Sequence, residues 1–217
     1  MRHVGRVFGR RAALGLALGG VAVMGLAGTR PARADDPAAA GPITTFNAAL
    51  LAGMKAGKAT PFPSRYQALA PVVGQAFDLQ EILSASVGPR WEKLSAEDQA
   101  ALLDVFTRFT VATYVANFDT YSGQRIDVLP QQRMAGSDVI VSTQIVRPTG
   151  APVRVDYVMR QESGGWKAVD VLLDGSISRV AVQRSDFRQL MKNDDPAELI
   201  ASLKKKIAAL SGGTLTS

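Results

Sequence analysis

The apolar residues of this chain change their period partway along its length. Up to about Tyr121 they recur three and four residues apart, the spacing of a helix face; from Ile126 to Leu173 they alternate, the spacing of a half-buried strand. A strand is expected over 126–132. Val139, Val141, Thr143 and Ile145 alternate in a second, and Val153, Val155, Tyr157 and Met159 in a third. A fourth runs over 166–173. The connections are Arg147-Pro148-Thr149-Gly150, Glu162-Ser163-Gly164-Gly165 and Asp174-Gly175. Strands joined by such short turns have to be antiparallel, because a parallel return needs a long crossover. The expected fold is α+β: a helical N-terminal half packed on an antiparallel sheet of about four strands, with a C-terminal helix. The sheet's apolar face needs cover, and the helices provide it.

In the helical half, Phe46, Leu50, Leu51 and Met54 make a first stripe. Pro61-Phe62-Pro63 then breaks the chain, and a second helix is expected over 66–74. Asp78-Leu79-Gln80-Glu81 is a capping box that opens a third helix, ended by Gly88-Pro89. Ser95 caps the longest helix, with Asp98 favourable against its dipole, and the helix is expected to reach about Tyr121. It carries two neighbouring stripes: Leu102, Phe106, Phe109 and Thr113 in one, Val111, Tyr114, Val115 and Phe118 in the other. Together they make a face wider than one packing partner needs, so this helix is either sandwiched or lines a cavity. After the sheet a helix is expected over 185–191. Asp195-Pro196-Ala197-Glu198 then starts the last one, whose buried stripe is Leu199, Ile200, Leu203, Ile207 and Leu210. Lys204, Lys205 and Lys206 suit its C-terminal dipole; they read as a solvated face, with a membrane or partner contact as the alternative.

The formal net charge of +6 does not describe the folded part. Arg2, Arg6, Arg10, Arg11, Arg30 and Arg33 precede Asp35 and no acidic residue does, which leaves 19 basic against 19 acidic residues from Asp35 onward. That balance removes the electrostatic case for nucleic acid. The only histidine is His3, and there is no cysteine. From Asp35 onward the chain therefore has no Ser-His-Asp triad, no Cys nucleophile and no Cys/His zinc site, and no cofactor or metal is expected. The first residues are basic, 12–27 are apolar with several glycines, and Ala32-Arg33-Ala34 is a small-residue cleavage pattern. Residues 1–34 read as a cleaved export signal, of the Sec type or, given Arg10-Arg11, the twin-arginine type, with an uncleaved anchor as the alternative. Residues 35–42 read as a flexible linker, 43–210 as a single domain and 211–217 as a flexible tail.

Four segments of the second half carry a resemblance. They are Pro152-Val153-Arg154-Val155-Asp156-Tyr157, Gly165-Trp166-Lys167-Ala168-Val169-Asp170-Val171, Asp174-Gly175-Ser176-Ile177-Ser178 and Ser185-Asp186-Phe187. Phe77-Asp78, Leu94-Ser95 and Tyr114 agree with it in the helical half. In this order they resemble the MlaC family, periplasmic phospholipid-binding proteins of the toluene-tolerance type, whose hopanoid-associated branch, HpnM, shares the pattern. The resemblance implies a deep apolar pocket between helices and sheet that takes acyl chains and leaves the head group near the surface. It also implies a periplasmic carrier, not an enzyme, that shuttles lipid between an outer-membrane lipoprotein complex and an inner-membrane ABC transporter; monomer is the default for a shuttle.

Such a pocket needs apolar lining and few exact polar groups, since each buried CH₂ is worth about 0.8 kcal/mol. The lining candidates are Phe77, Ile82, Phe106, Phe109, Tyr114 and Phe118 from helices, and Val155, Tyr157, Met159, Val169, Val171 and Leu173 from strands. Each of them is equally readable as core. Strict alternation puts Val169, Val171 and Leu173 on one face of their strand and Trp166, Ala168 and Asp170 on the other, and leaves open which face meets the pocket. Asp170 is expected to pair with Arg154 or Arg179, or to accept a backbone N–H. Two other readings compete with the carrier. One is an adaptor domain with a filled core. The other is a small-pocket isomerase using Asp170 as base and Tyr157 or Tyr114 as donor.

Overall fold

The computed structural model describes residues 37–215. The export signal expected at 1–34 lies outside them. The element order is α1 (Pro37–Ala56), α2 (Phe62–Ala76), α3 (Leu79–Val87), a 3-10 turn (Gly88–Lys93) and α4 (Ala96–Asn117). Then come β1 (Arg125–Ala135), β2 (Asp138–Val146), β3 (Val153–Glu162), β4 (Gly165–Leu173) and the two-residue β5 (Ile177–Ser178), followed by α5 (Arg179–Leu190) and α6 (Ala197–Leu210). The strands form one antiparallel sheet in the order β1-β2-β3-β4-β5. The expected α+β architecture is present, with β5 added at one edge.

Several expectations about where elements begin and end need correction. Residues 37–42, expected as linker, are helical, and Ala39 is fully buried. The reason is that the Ile43, Phe46, Leu50 and Met54 stripe continues back to Ala39 at the same spacing, and Pro37 sits in the first turn, where no N–H is needed. Pro61 and Pro63 likewise start α2 rather than holding it off until Tyr66. The helix expected over 185–191 begins at Arg179, capped by Ser178, whose hydroxyl accepts from the Ala181 N–H. The segment expected as a tail is folded as far as it is described. Gly212 takes the left-handed conformation (φ +59°), Gly213 N–H bonds the Ala208 carbonyl at 2.8 Å, and Leu215 packs on the core, as in a Schellman stop.

The other signals act as read. Asp78 caps α3 by accepting from the Glu81 N–H at 2.9 Å, while the Glu81 carboxylate pairs with Arg160 at 2.7 Å instead of reaching back to the cap. Ser95 caps α4 through the Asp98 N–H. Pro130, which cannot donate to a ladder, falls in edge strand β1 where its register with β2 is interrupted.

The helices cover one face of the sheet. α1 crosses it, touching β1 through β4, and α2, α3 and α5 all contact β4. The α2–α3 junction is tied to the sheet by the Asp78 N–H, which donates to the Ala168 carbonyl at 3.0 Å. α4 packs against α6, α2, α3 and α1. It is sandwiched and it also lines a cavity, so both consequences drawn from its wide apolar face hold.

A bulge decides which β4 side chains face inward. Val158 opposes Asp170 and Met159 opposes Ala168, so Val169 is an extra residue with no partner of its own. Past it the alternation resets. Trp166 and Ala168 share the inner face with Val171 and Leu173, opposite Gln161, Met159, Tyr157 and Val155 respectively. The strict alternation expected for this strand is therefore wrong.

The outer face of the sheet holds a buried acid. The Asp156 side chain is fully buried and is clamped by Arg133 at 2.7 Å and Arg154 at 3.0 Å, with Arg154 also donating to Ser142 at 2.9 Å. Arg154 is thus committed to Asp156 and is not the partner of Asp170.

Candidate functional site: an apolar cavity between sheet and helices

A cavity of about 310 Å³ lies between the inner face of the sheet and helices α1, α3, α4 and α5. Ten of the twelve candidates from the sequence stand on its wall: Phe77, Ile82, Phe106, Phe109, Tyr114, Phe118, Val155, Tyr157, Val171 and Leu173. Two do not. Met159 is on the inner face but fully buried in a filled part of the core, and Val169 is the bulge residue, turned away from this wall. Leu50, Leu79, Ile126, Thr143, Ile145 and Val180 also line the cavity. Leu50 was legible as a member of the Phe46 stripe and Ile145 as a member of the β2 alternation. Their position beside a void rather than a filled core was not.

One end of the cavity is closed by aromatic rings. Phe46, fully buried, stands edge-on to Phe77 at 5.0 Å, Tyr114 at 4.9 Å and Tyr157 at 6.3 Å. These rings come from α1, the α2–α3 junction, α4 and β3, so the cluster fixes four elements around one point. Burial pushes the phenol pKa values of Tyr114 and Tyr157 well above the usual range, with Arg179 partly offsetting this at Tyr114 and Tyr114 adding to it at Tyr157. Both hydroxyls stay protonated at any physiological pH.

Several polar groups on the wall are spent on the protein itself, whereas the buried Asn47 side chain, also on the wall, has neither of its amide atoms paired. Thr110 and Thr113 donate to carbonyls one turn back on α4, at 2.9 and 2.7 Å, and Thr143 donates to the Val155 carbonyl at 2.7 Å. Asp170 accepts from the Val171 N–H at 2.7 Å, the Val180 N–H at 3.1 Å and the Ser178 hydroxyl. Its carboxylate ties the start of α5 to β4, the backbone-amide role that was one of the two expected for it. A carboxylate holding three donors in place is poorly arranged to serve as a mobile base.

The rim is different. Leu173 is 37 % exposed, and Ile177, paired with it across the sheet edge, is exposed as well. Arg179, the first residue of α5, lines this part of the cavity and makes no ion pair, although nine other pairs form among the described residues. Gln183, one turn further along, lies 3.1 Å from the Ser86 hydroxyl. The site thus has an aromatic floor, an aliphatic wall and a cationic rim. It can take long apolar groups and present an anion to Arg179.

Among the described residues, no group of His, Cys, Asp or Glu side chains stands close enough to hold a metal ion, and no helix is long and apolar enough to cross a membrane. Lys204, Lys205 and Lys206 are exposed, with Lys206 5.8 Å from the Phe109 ring.

No curated protein sequence matches the chain. Its fold is similar to that of the phospholipid-binding protein from Ralstonia solanacearum, solved in complex with a phospholipid, at a TM-score of 0.68 and 21% identity, covering 80% of this chain and 98% of that one. The family model described as MlaC protein matches residues 45–205, from the middle of α1 through most of α6 and so around every wall of the cavity; the chain belongs to the MlaC family.

Proposed function

We propose that this protein is a periplasmic lipid carrier. It holds the acyl chains of a phospholipid in the cavity between sheet and helices and leaves the phosphate at the rim, beside Arg179. The observation that carries the reading is a cavity of about 310 Å³ walled mainly by aliphatic and aromatic side chains, with a guanidinium that makes no ion pair at its edge. Apolar walls reward each chain methylene by about 0.8 kcal/mol, and a charged hydrogen bond at the rim selects a phosphate-bearing lipid over a neutral one. The Ralstonia solanacearum neighbour, which shares this fold, was solved with a phospholipid bound, and that supports the same ligand class here.

Membership of the MlaC family supports the remaining parts: export by the arginine-rich leader at 1–34, and passage of lipid between an outer-membrane lipoprotein complex and an inner-membrane ABC transporter, without catalysis and as a monomer. The test is to purify the full-length chain, expressed with its own leader and without detergent, and to identify what it carries by native mass spectrometry and lipid extraction. A phospholipid at one per chain is expected. A ligand-free mass, together with no uptake from labelled phospholipid vesicles, would remove the reading.

A further inference from the structure

A second space, of about 360 Å³, lies between α1, α2 and α4. Ala52, Gly53 and Ala56 of α1 form one wall, Ala68 and Leu69 of α2 the opposite one. Arg65 also lines it, and its guanidinium donates to the Thr60 carbonyl at 3.1 Å and the Val115 carbonyl at 3.0 Å and stacks 5.5 Å from the Phe62 ring. The space is an apolar groove that opens to solvent along the exposed Ala52, Ala56 and Ala68, beside the main cavity.

The two cavities share a wall. Leu50, Tyr114 and Phe118 line both. Tyr114 and Phe118 are one turn apart on α4, their rings 6.3 Å between centroids and tilted at 40°. This partition consists of side chains, in which the Tyr114 ring is held by packing against Phe46 and Phe77 while Phe118 meets only Tyr114 among the described rings. A change of rotamer at Leu50 and Phe118 would join the spaces without moving the backbone. The second cavity then extends the first along about 10 Å of α1, from Ala49 to Ala56.

We infer that the space behind Leu50, Tyr114 and Phe118 is a second acyl-chain compartment, entered from the main cavity when Leu50 and Phe118 turn. One chain of a two-chain lipid lies against the sheet and the other runs between α1 and α2. The main cavity alone is near the lower end of the roughly 300–1,000 Å³ that accommodates drug-sized ligands, and a diacyl lipid has more apolar bulk than those; the second compartment doubles the space. The inference rests on the lipid-carrier reading.

Gly53 gives a direct way to fill the second compartment. A Cβ built there meets no atom within 4 Å, and replacing a helical glycine favours α1. Gly53→Leu, with Gly53→Ala as the control for helix propensity, would be compared with wild type for uptake of dioleoylphosphatidylglycerol and of its one-chain relative, oleoyl-lysophosphatidylglycerol, from labelled vesicles and micelles. Ala68→Leu fills the same space from α2, so the comparison survives a folding failure of either variant. The expected result is at least a tenfold loss of the two-chain lipid in the leucine variants, with one-chain uptake kept and a much smaller loss for Gly53→Ala, whose single methyl occupies little of the space. Folded leucine variants that take up both lipids as wild type does would overturn the inference. Wild-type protein that takes up neither would instead bring down the carrier reading itself.

Discussion

Met159 and Val155 lie on the same strand and the same face, four residues apart, yet one is fully buried in solid core and the other lines a void. The contrast extends across the sheet. At one end Val139, Met159, Ala168 and Trp166 are buried beneath helices that fill the space; at the other, Ile126, Ile145, Val155, Val171 and Leu173 face a cavity. Both ends are built from the same residue types. Apolar character sets which face points inward, but whether that face meets a neighbour or a void depends on how far the covering helices stand from it. At the packed end the α2–α3 junction is bonded directly to β4 through Asp78 and Ala168. At the hollow end α5 is held to β4 only at its start, by Asp170, and the space between is left open.

Replacing the ring at the floor of the cavity, where the two ends meet, has the largest expected effect. Phe46→Ala removes a fully buried side chain in contact with three other rings and is expected to cost about 3–5 kcal/mol in urea unfolding. A loss below about 1 kcal/mol would mean that the ring cluster relaxes as easily as the hollow end.

A matched pair of larger substitutions sharpens the comparison. Met159→Trp enters filled core and is expected to cost roughly 1–3 kcal/mol. Val171→Trp, on the next strand and the same face, enters the cavity, and is expected to cost less than that while abolishing retention of co-purified lipid. Thermal unfolding and native mass spectrometry read the two effects separately. Equal destabilisation by both would erase the distinction between the two ends, and lipid retained by a folded Val171→Trp variant would move the chains away from this wall.

The smallest effect belongs to the edge of the packed end. Glu162, at the end of β3, has its carboxyl pKa raised by burial first and by the neighbouring Asp78 carboxylate second. The folded state therefore binds this proton more readily than the unfolded state, so stability is lost as pH rises through the carboxylate range. Glu162→Gln is expected to raise the melting temperature slightly at neutral pH, with the gain fading as pH falls below the ordinary value of 4.5. A gain that is the same at both pH values would trace to packing instead.

Local signals in the sequence carried much of this fold. The Asp78 and Ser95 caps, the period-two runs of β2 and β3 and the Asp174-Gly175 turn each depend on neighbours in the chain, so they could be read before any contact was known. The helical stripe from Phe46 also contained the information that α1 begins at Pro37, although the small residues before it hid the fact. The bulge at Val169 was not legible, because an extra residue in a strand is defined only against the partner strand, and Val169 and Asp170 look like any alternating pair.

The order of elements, the antiparallel pairing, the apolar character of the inner face and the exclusion of His and Cys chemistry after residue 34 are all legible along the chain. These follow from periodicity, turn length and residue type, which are local properties. Three-dimensional packing makes the inner face hollow at one end, sets Trp166 and Ala168 on it beside Val171, and leaves Arg179 at the rim without an ion pair while Arg154 is spent on Asp156. Those outcomes depend on spacing and partnership between segments far apart in the chain. No single stretch of it encodes the distance to another.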